Sequence, residues 1–265
     1  MTIKALIFDW AGTTVDHGSL APVLTLERVF AEAGVKLPQE VLRRDMGLAK
    51  RDHITHILNE PETIAAWHSA HGVPPPESAV DRLYATFLPL QMECLLSYSN
   101  VLPGIPEVMA RFQLMNYRIG STTGYTRAML DALVASAASQ GYSPEIALSP
   151  EDVGAGRPNP AMCQEICRRF AVSPEECIKI GDTPSDIAEG LAAGMWTIGI
   201  TRTGNMIGLS QQDWSALTPA AQQTRLATAK AAFQKAGAHA TAPSVPESLA
   251  KIKEIAARAA AGEKP

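Results

Sequence analysis

The sequence predicts an α/β fold: a Rossmann-like, doubly wound parallel sheet with an inserted α-helical cap. Three observations carry this. A short apolar run, Ile3 to Phe8, ends abruptly in Asp9 and a small, glycine-containing turn, as buried parallel strands do at their C-terminal edge. Strand and helix patterns alternate again from residue 105 onward, which implies parallel pairing through right-handed crossovers. Between these stretches, roughly 80 residues read as helix with no convincing strand, the pattern of a small inserted bundle.

The elements follow in order. Pro22 suits the first turn of a helix whose apolar positions Leu26, Val29, Phe30 and Ala33 keep helical spacing until Gly34. Further helices are expected over 38–45, 50–59, 61–71 and 77–97, punctuated by Pro38, Pro61 and Pro74-Pro75-Pro76. After Leu102-Pro103-Gly104 come helix 105–115, strand 117–122, helix 126–139, strand 146–148, helix 159–170, strand 177–181, helix 184–193 and strand 196–200. Residues 203–218 read as turn-rich, 219–236 as an Ala-rich amphipathic helix, 238–241 as a short segment and 246–261 as a last helix. The expected division is a core of 1–18 and 99–265 and a cap of 19–98.

Composition narrows the function. The chain has 265 residues, 46% of them hydrophobic and 19% charged, with a net charge of -4, which argues against general binding to nucleic acid or anionic membranes. Small molecules or a second copy of the chain are the expected partners. Cys94, Cys163, Cys167 and Cys177 lack tight metal spacing and read as reduced packing residues, in keeping with a cytoplasmic protein. No apolar run approaches the roughly 20 residues needed to span a bilayer.

Chemistry is expected where four strand or loop ends converge: Asp9; Ser121-Thr122-Thr123; Gly156-Arg157-Pro158; and Gly181-Asp182-Thr183 with Asp186. Each alone is commonplace, since an Asp after a strand usually caps a helix or shapes a turn. Together they supply carboxylates, hydroxyls and one cation, a set suited to Mg2+ and a phosphoryl group. A metal there would offset repulsion between carboxylate and phosphoryl group, leaving Asp9 able to attack phosphorus.

Asp-x-x-Gly-Thr, a strand ending in Ser/Thr, a basic residue before Pro, and Gly-Asp-x-x-x-Asp appear here in the order that resembles the haloacid dehalogenase superfamily. Longer stretches are most similar to its phosphonoacetaldehyde hydrolase family: 8–16, 46–53, 120–127, 155–158 and 190–196. Most phosphatases of the superfamily carry a second Asp two residues after the nucleophile, as a general acid for the leaving oxygen. This chain has Ala11 there and is poorly equipped to release an alkoxide.

A carbon leaving group needs an electron sink instead, and Lys50 on the insertion can provide one by condensing with an aldehyde. An unperturbed lysine is free amine in only about one molecule in 2,500 at pH 7, so the site has to depress its pKa. Met46, Lys50 and His53 are spaced to share one helical face if the helix begins by Met46.

The resemblance implies that Lys50 forms a Schiff base with phosphonoacetaldehyde and Asp9 an aspartyl-phosphate, in the degradation of 2-aminoethylphosphonate. It also implies Mg2+ on Asp9, the Ala11 carbonyl and Asp182 with Asp186 in support. Arg157 would hold phosphoryl oxygens, and Gly12, Thr122 and Thr123 would donate hydrogen bonds. Tyr125, Met46 and His53 would surround the imine, and a homodimer is expected. Where the family pattern carries Cys, this chain has Ser19. The competing expectation is a capped phosphatase or phosphomutase acting on small phosphate esters.

Overall fold

The computed structural model describes residues 2–265; Met1, where the expected core begins, lies outside the described residues. Six strands form one sheet: β1 (Ala5–Phe8), β2 (Arg118–Thr122), β3 (Ile146–Leu148), β4 (Cys177–Gly181), β5 (Trp196–Ile200) and β6 (Ala240–Ala242). All neighbouring pairs are parallel, in the order β3-β2-β1-β4-β5-β6. β1, β4 and β5 are buried along their whole length, as strands covered by helices on both faces must be. Burying the Phe8 ring alone contributes about 1.5–3 kcal/mol.

From β1 the chain steps outward through β2 to β3, then returns to the other side of β1 with β4. Strand order therefore reverses between β1 and β4, opening a crevice at their C-terminal ends. The Asp9 N–H still donates to the Ile180 carbonyl at 2.9 Å, so Asp9 leaves the sheet beside the end of β4.

The first five of the helices that follow β1 are α1 (Leu20–Glu32), α2 (Gln39–Arg43), α3 (Lys50–Asn59), α4 (Pro61–His71) and α5 (Ala79–Leu95). They form the inserted bundle, with α1 and α3 packed on α5 around Leu26, Phe30, Ile54, Trp67, Leu83 and Phe87. The connection from β1 is tightly wound, with positive φ at Asp16 (55°), Gly18 (87°) and Ser19 (50°). Both Asp16 carboxylate oxygens accept from the first turn of α1, from Leu20 and Ala21 N–H at 2.9 Å each. That satisfies two otherwise unpaired donors.

The remaining helices are α6 (Ile105–Leu114), α7 (Arg127–Ala138), α8 (Pro150–Val153), α9 (Ala161–Phe170), α10 (Pro184–Ala192), α11 (Gln211–Ala216), α12 (Pro219–Lys235) and α13 (Leu249–Ala260). Two expectations need correction. α8 is a single turn where no element is expected and α11 a short helix in the region read as turn-rich, each begun by a serine cap too local to carry apolar periodicity. α12 is not amphipathic, because only Ala229 and Phe233 are buried; Gly199 leaves room on β5 for the Phe233 ring. α3 spans Lys50–Asn59 as expected, so the condition for Met46 to share its helical face is not met, and Gly47 at φ 97° interrupts the chain just before it.

The bundle docks on the core through backbone. A Cβ added at Gly124 would fall 2.7 Å from the Gly47 carbonyl oxygen and still nearer that of Leu48, and one at Gly156 would lie 2.8 Å from Ala49 Cβ. Gly124→Ala is therefore expected to push the 46–49 segment off the core and lower kcat/KM at least about tenfold, because misplacement by about 1 Å costs up to about 10²-fold. Steady-state kinetics beside a thermal melt checks this; unchanged kinetics would contradict the docking geometry.

Candidate active site

Each polar residue at the crevice is delivered by the end of an element. β1 delivers Asp9, β4 delivers Asp182, and α10 carries Asp186 in its first turn. Thr183 caps α10 reciprocally: its hydroxyl donates to Asp186 Oδ2 at 2.7 Å and accepts from the Asp186 N–H. Oxygens of Asp9, Asp182 and Asp186 lie within 4.8 Å of one another, and all three residues are buried.

Arg157 threads through this cluster. Its Nη2 lies 2.7 Å from Asp9 Oδ1 and also donates to the Thr122 carbonyl and hydroxyl. Nη1 lies 3.2 Å from Asp186 Oδ1, and Nε donates to Glu189 Oε2 at 2.9 Å. A second buried cation, Lys179, donates to Asp186 Oδ1 at 2.8 Å and to Thr122 Oγ1 at 3.0 Å. Four carboxyl groups (Asp9, Asp182, Asp186, Glu189) thus face two cations of the core, Arg157 and Lys179.

The electrostatics follow that imbalance. Burial pushes the Asp9 and Asp182 carboxyls above the usual range, and for Asp182 repulsion from Asp9 and Asp186 adds to it. Burial also pushes Asp186 upward, but Arg157 and Lys179 outweigh it and hold this carboxyl below its ordinary value. Asp9 and Asp182 are thus the pair short of positive charge. Among the described residues, nothing donates a hydrogen bond to the Ala11 carbonyl beside them. Two crowded carboxylates and an unpaired carbonyl fit a hard divalent cation.

A small pocket opens beside this cluster, lined by Asp9, Ala11, Ser19, Met46, Lys50, Thr123, Tyr125, Arg157 and Asp182. Residues of the inserted bundle and of the core therefore share one cavity. Lys50 is the first residue of α3, and its Nζ stands 5.0 Å from the centre of the Tyr125 ring. Burial pushes the Lys50 ammonium down to about 8, although Asp9 opposes this. Met46 reaches the pocket from the turn before α3.

Three sequence-derived residues stand elsewhere. Gly12 spends its N–H on the Val15 carbonyl at 2.7 Å. The Thr122 hydroxyl points away from the pocket, donating to Glu189 and accepting from Arg157 and Lys179. Neither is a free donor to a substrate. Thr123 is placed for that, since its hydroxyl accepts from the Tyr125 N–H and keeps its own proton to give. His53 is fully buried behind Lys50 with neither ring nitrogen partnered, and burial pushes its pKa down to about 3, so it is neutral.

Sequence reasoning missed Lys179 and Glu189. Lys179 carried a signal, because a lysine inside the apolar strand Cys177-Ile178-Lys179-Ile180 needs a buried acidic partner. Glu189, on the buried face of α10, is one such partner.

Sheet order, crevice and acidic cluster define a hydrolase of the haloacid dehalogenase-like class, whose family model matches residues 3–194. Curated relatives narrow the class. The phosphonoacetaldehyde hydrolase of Hahella chejuensis is 42% identical over 99% of this chain and 90% of its own length. That of Nitratidesulfovibrio vulgaris is 39% identical over 99% of this chain and 94% of its own. A crystal structure of a phosphonoacetaldehyde hydrolase-like protein from Oleispira antarctica superposes with a TM-score of 0.96 at 37% identity, covering 100% of this chain and 96% of that one. The chain belongs to the phosphonoacetaldehyde hydrolase family.

Proposed function

We propose that the protein hydrolyses the carbon–phosphorus bond of phosphonoacetaldehyde to acetaldehyde and phosphate, with Asp9 as nucleophile and Lys50 as imine-forming amine. One observation carries the reading: Lys50, from the inserted helices, lines the same pocket as Asp9, while Ala11 stands where an acid for an ester leaving group would be. Residues 19–98 serve as the cap and the remainder as the core.

Lys50 Nζ adds to the aldehyde carbon and water leaves, giving a protonated imine. Asp9 then attacks phosphorus; the C–P bond breaks and its electron pair passes into the imine, leaving an enamine and an aspartyl-phosphate. Water releases phosphate from Asp9. The enamine takes a proton on carbon, and a second water frees acetaldehyde and restores Lys50. Net consumption is one water, because imine formation returns one.

Arg157 holds Asp9 Oδ1 and meets phosphoryl oxygens arriving there, while Thr123 donates to them from across the pocket. Burial keeps Lys50 partly unprotonated, and the Tyr125 face offsets the positive charge of the imine. Met46 and His53 exclude water around it, and Ser19 offers a hydroxyl at the pocket wall. Asp9, the Ala11 carbonyl and Asp182 would hold Mg2+, with Asp186 in support; the ion supplies charge neutralisation at the phosphoryl group. A homodimer in the cytoplasm is the proposed setting, in keeping with exposed Ile64, Met92 and Leu96 on the cap.

Wild-type protein with Mg2+ is expected to release acetaldehyde and phosphate from phosphonoacetaldehyde in equal amounts, and to lose this on chelation. Comparable turnover of sugar phosphates would favour a conventional capped phosphatase instead.

A further inference from the structure

Arg43, the last residue of α2 in the cap, is seated in a socket made by the core. Its Nη1 donates to the Gly18 carbonyl at 2.9 Å, to the Ser19 carbonyl at 3.3 Å and to Asn205 Oδ1 at 3.0 Å, and its Nη2 donates to the Gly208 carbonyl at 3.3 Å. Asn205 answers, with Nδ2 donating to the Arg43 carbonyl at 3.1 Å. The fit is close: a Cβ at Gly208 would lie 2.8 Å from Arg43 Nε. One guanidinium therefore grips both the 16–19 connection and the loop after β5.

The second contact of Asn205 gives this grip a consequence. Its backbone N–H donates to Asp182 Oδ2 at 2.6 Å, the shortest bond that carboxylate makes. Asn205 is buried, and its loop is fixed from below by Thr203, whose hydroxyl donates to the Gly12 carbonyl at 2.7 Å. Cap helix, Asn205 and Asp182 form one unbroken chain of hydrogen bonds.

We infer that Arg43 is a positioning residue that couples docking of the cap to the orientation of Asp182, acting through Asn205. The inference rests on the reading of Asp182 as a metal ligand. When the cap is seated, Arg43 fixes the Asn205 side chain and so aims the Asn205 N–H at Asp182 Oδ2. When Arg43 withdraws, the loop loses its side-chain anchor and Asp182 its orienting donor.

The test is calorimetric Mg2+ binding to substrate-free protein, for wild type, Arg43→Ala, Asn205→Ala, the double variant and Arg43→Lys. Arg44→Ala, an exposed neighbour on the same turn, is the control. Loss of an outer partner of a metal ligand costs about 10–100-fold in affinity, so Arg43→Ala is expected to weaken Mg2+ roughly tenfold. The double variant should be no weaker than the worse single one, because both remove the same link. Arg43→Lys should recover only part, lacking the planar fork, and Arg44→Ala should bind as wild type does. Thermal melts beside each titration separate folding from binding, and should Arg43→Ala not fold, Arg43→Lys against Asn205→Ala gives the same comparison. Wild-type Mg2+ affinity in Arg43→Ala, or additive losses in the double variant, would overturn the coupling. A wild type that binds no Mg2+ would overturn the metal reading and the coupling with it.

Discussion

Asp9→Asn is expected to slow phosphate release at least about 10⁴-fold, the scale on which removal of a catalytic nucleophile acts. The amide keeps the size of the carboxylate and can still meet Arg157, but its nitrogen and neutral oxygen do not attack phosphorus. The carboxylate is singular here: it leaves the central strand at the crevice, one oxygen held 2.7 Å from Arg157, and lines the pocket that Lys50 enters. Imine formation does not need it. Asp9→Asn should therefore still condense with the aldehyde while releasing no phosphate, and rapid-quench measurement of both products checks this. Phosphate release within tenfold of wild type would rule out Asp9 as the nucleophile.

The second large effect belongs to Lys50. Lys50→Arg keeps the positive charge but cannot form an imine, so the electrons of the C–P bond have no acceptor; a loss of at least about 10³-fold, about 4 kcal/mol in barrier, is expected. Wild-type imine formation should depend on pH with a definite sign. With the Lys50 pKa at about 8, the amine is mostly protonated at pH 6 and mostly free at pH 9, so the rate rises with pH and levels off above 8. An ordinary lysine near 10.4 would keep rising well beyond. A Lys50→Arg variant with wild-type turnover would remove the imine from the mechanism.

Much of this architecture was legible in the residues because it rests on local signals. Strand ends at Phe8, Thr122 and Gly181 are marked by an apolar run meeting a small polar turn, and α4 is bounded by Pro61 and Gly72. Lys50 and Asp9 pair through the family resemblance, which gives the lysine the role that Ala11 leaves open, and both line one pocket. The misreadings have a common cause. Gly12 and Thr122 sit in the right motifs, but whether a donor is free depends on distant partners: Val15 takes the Gly12 N–H, and Glu189 takes the Thr122 hydroxyl from 67 positions away. Arg43 and Asn205 were invisible for the same reason. They lie 162 positions apart, and no periodicity or spacing announces that a cap helix and a late loop meet over Asp182.

The central claim is that the inserted helices supply the covalent amine. Incubation with phosphonoacetaldehyde and borohydride, followed by peptide mass mapping, tests it most directly. The expected result is irreversible inactivation and a single reduced adduct on the peptide containing Lys50, absent in Lys50→Arg. Full activity after this treatment, or an adduct on another lysine with Lys50 unmodified, would contradict it.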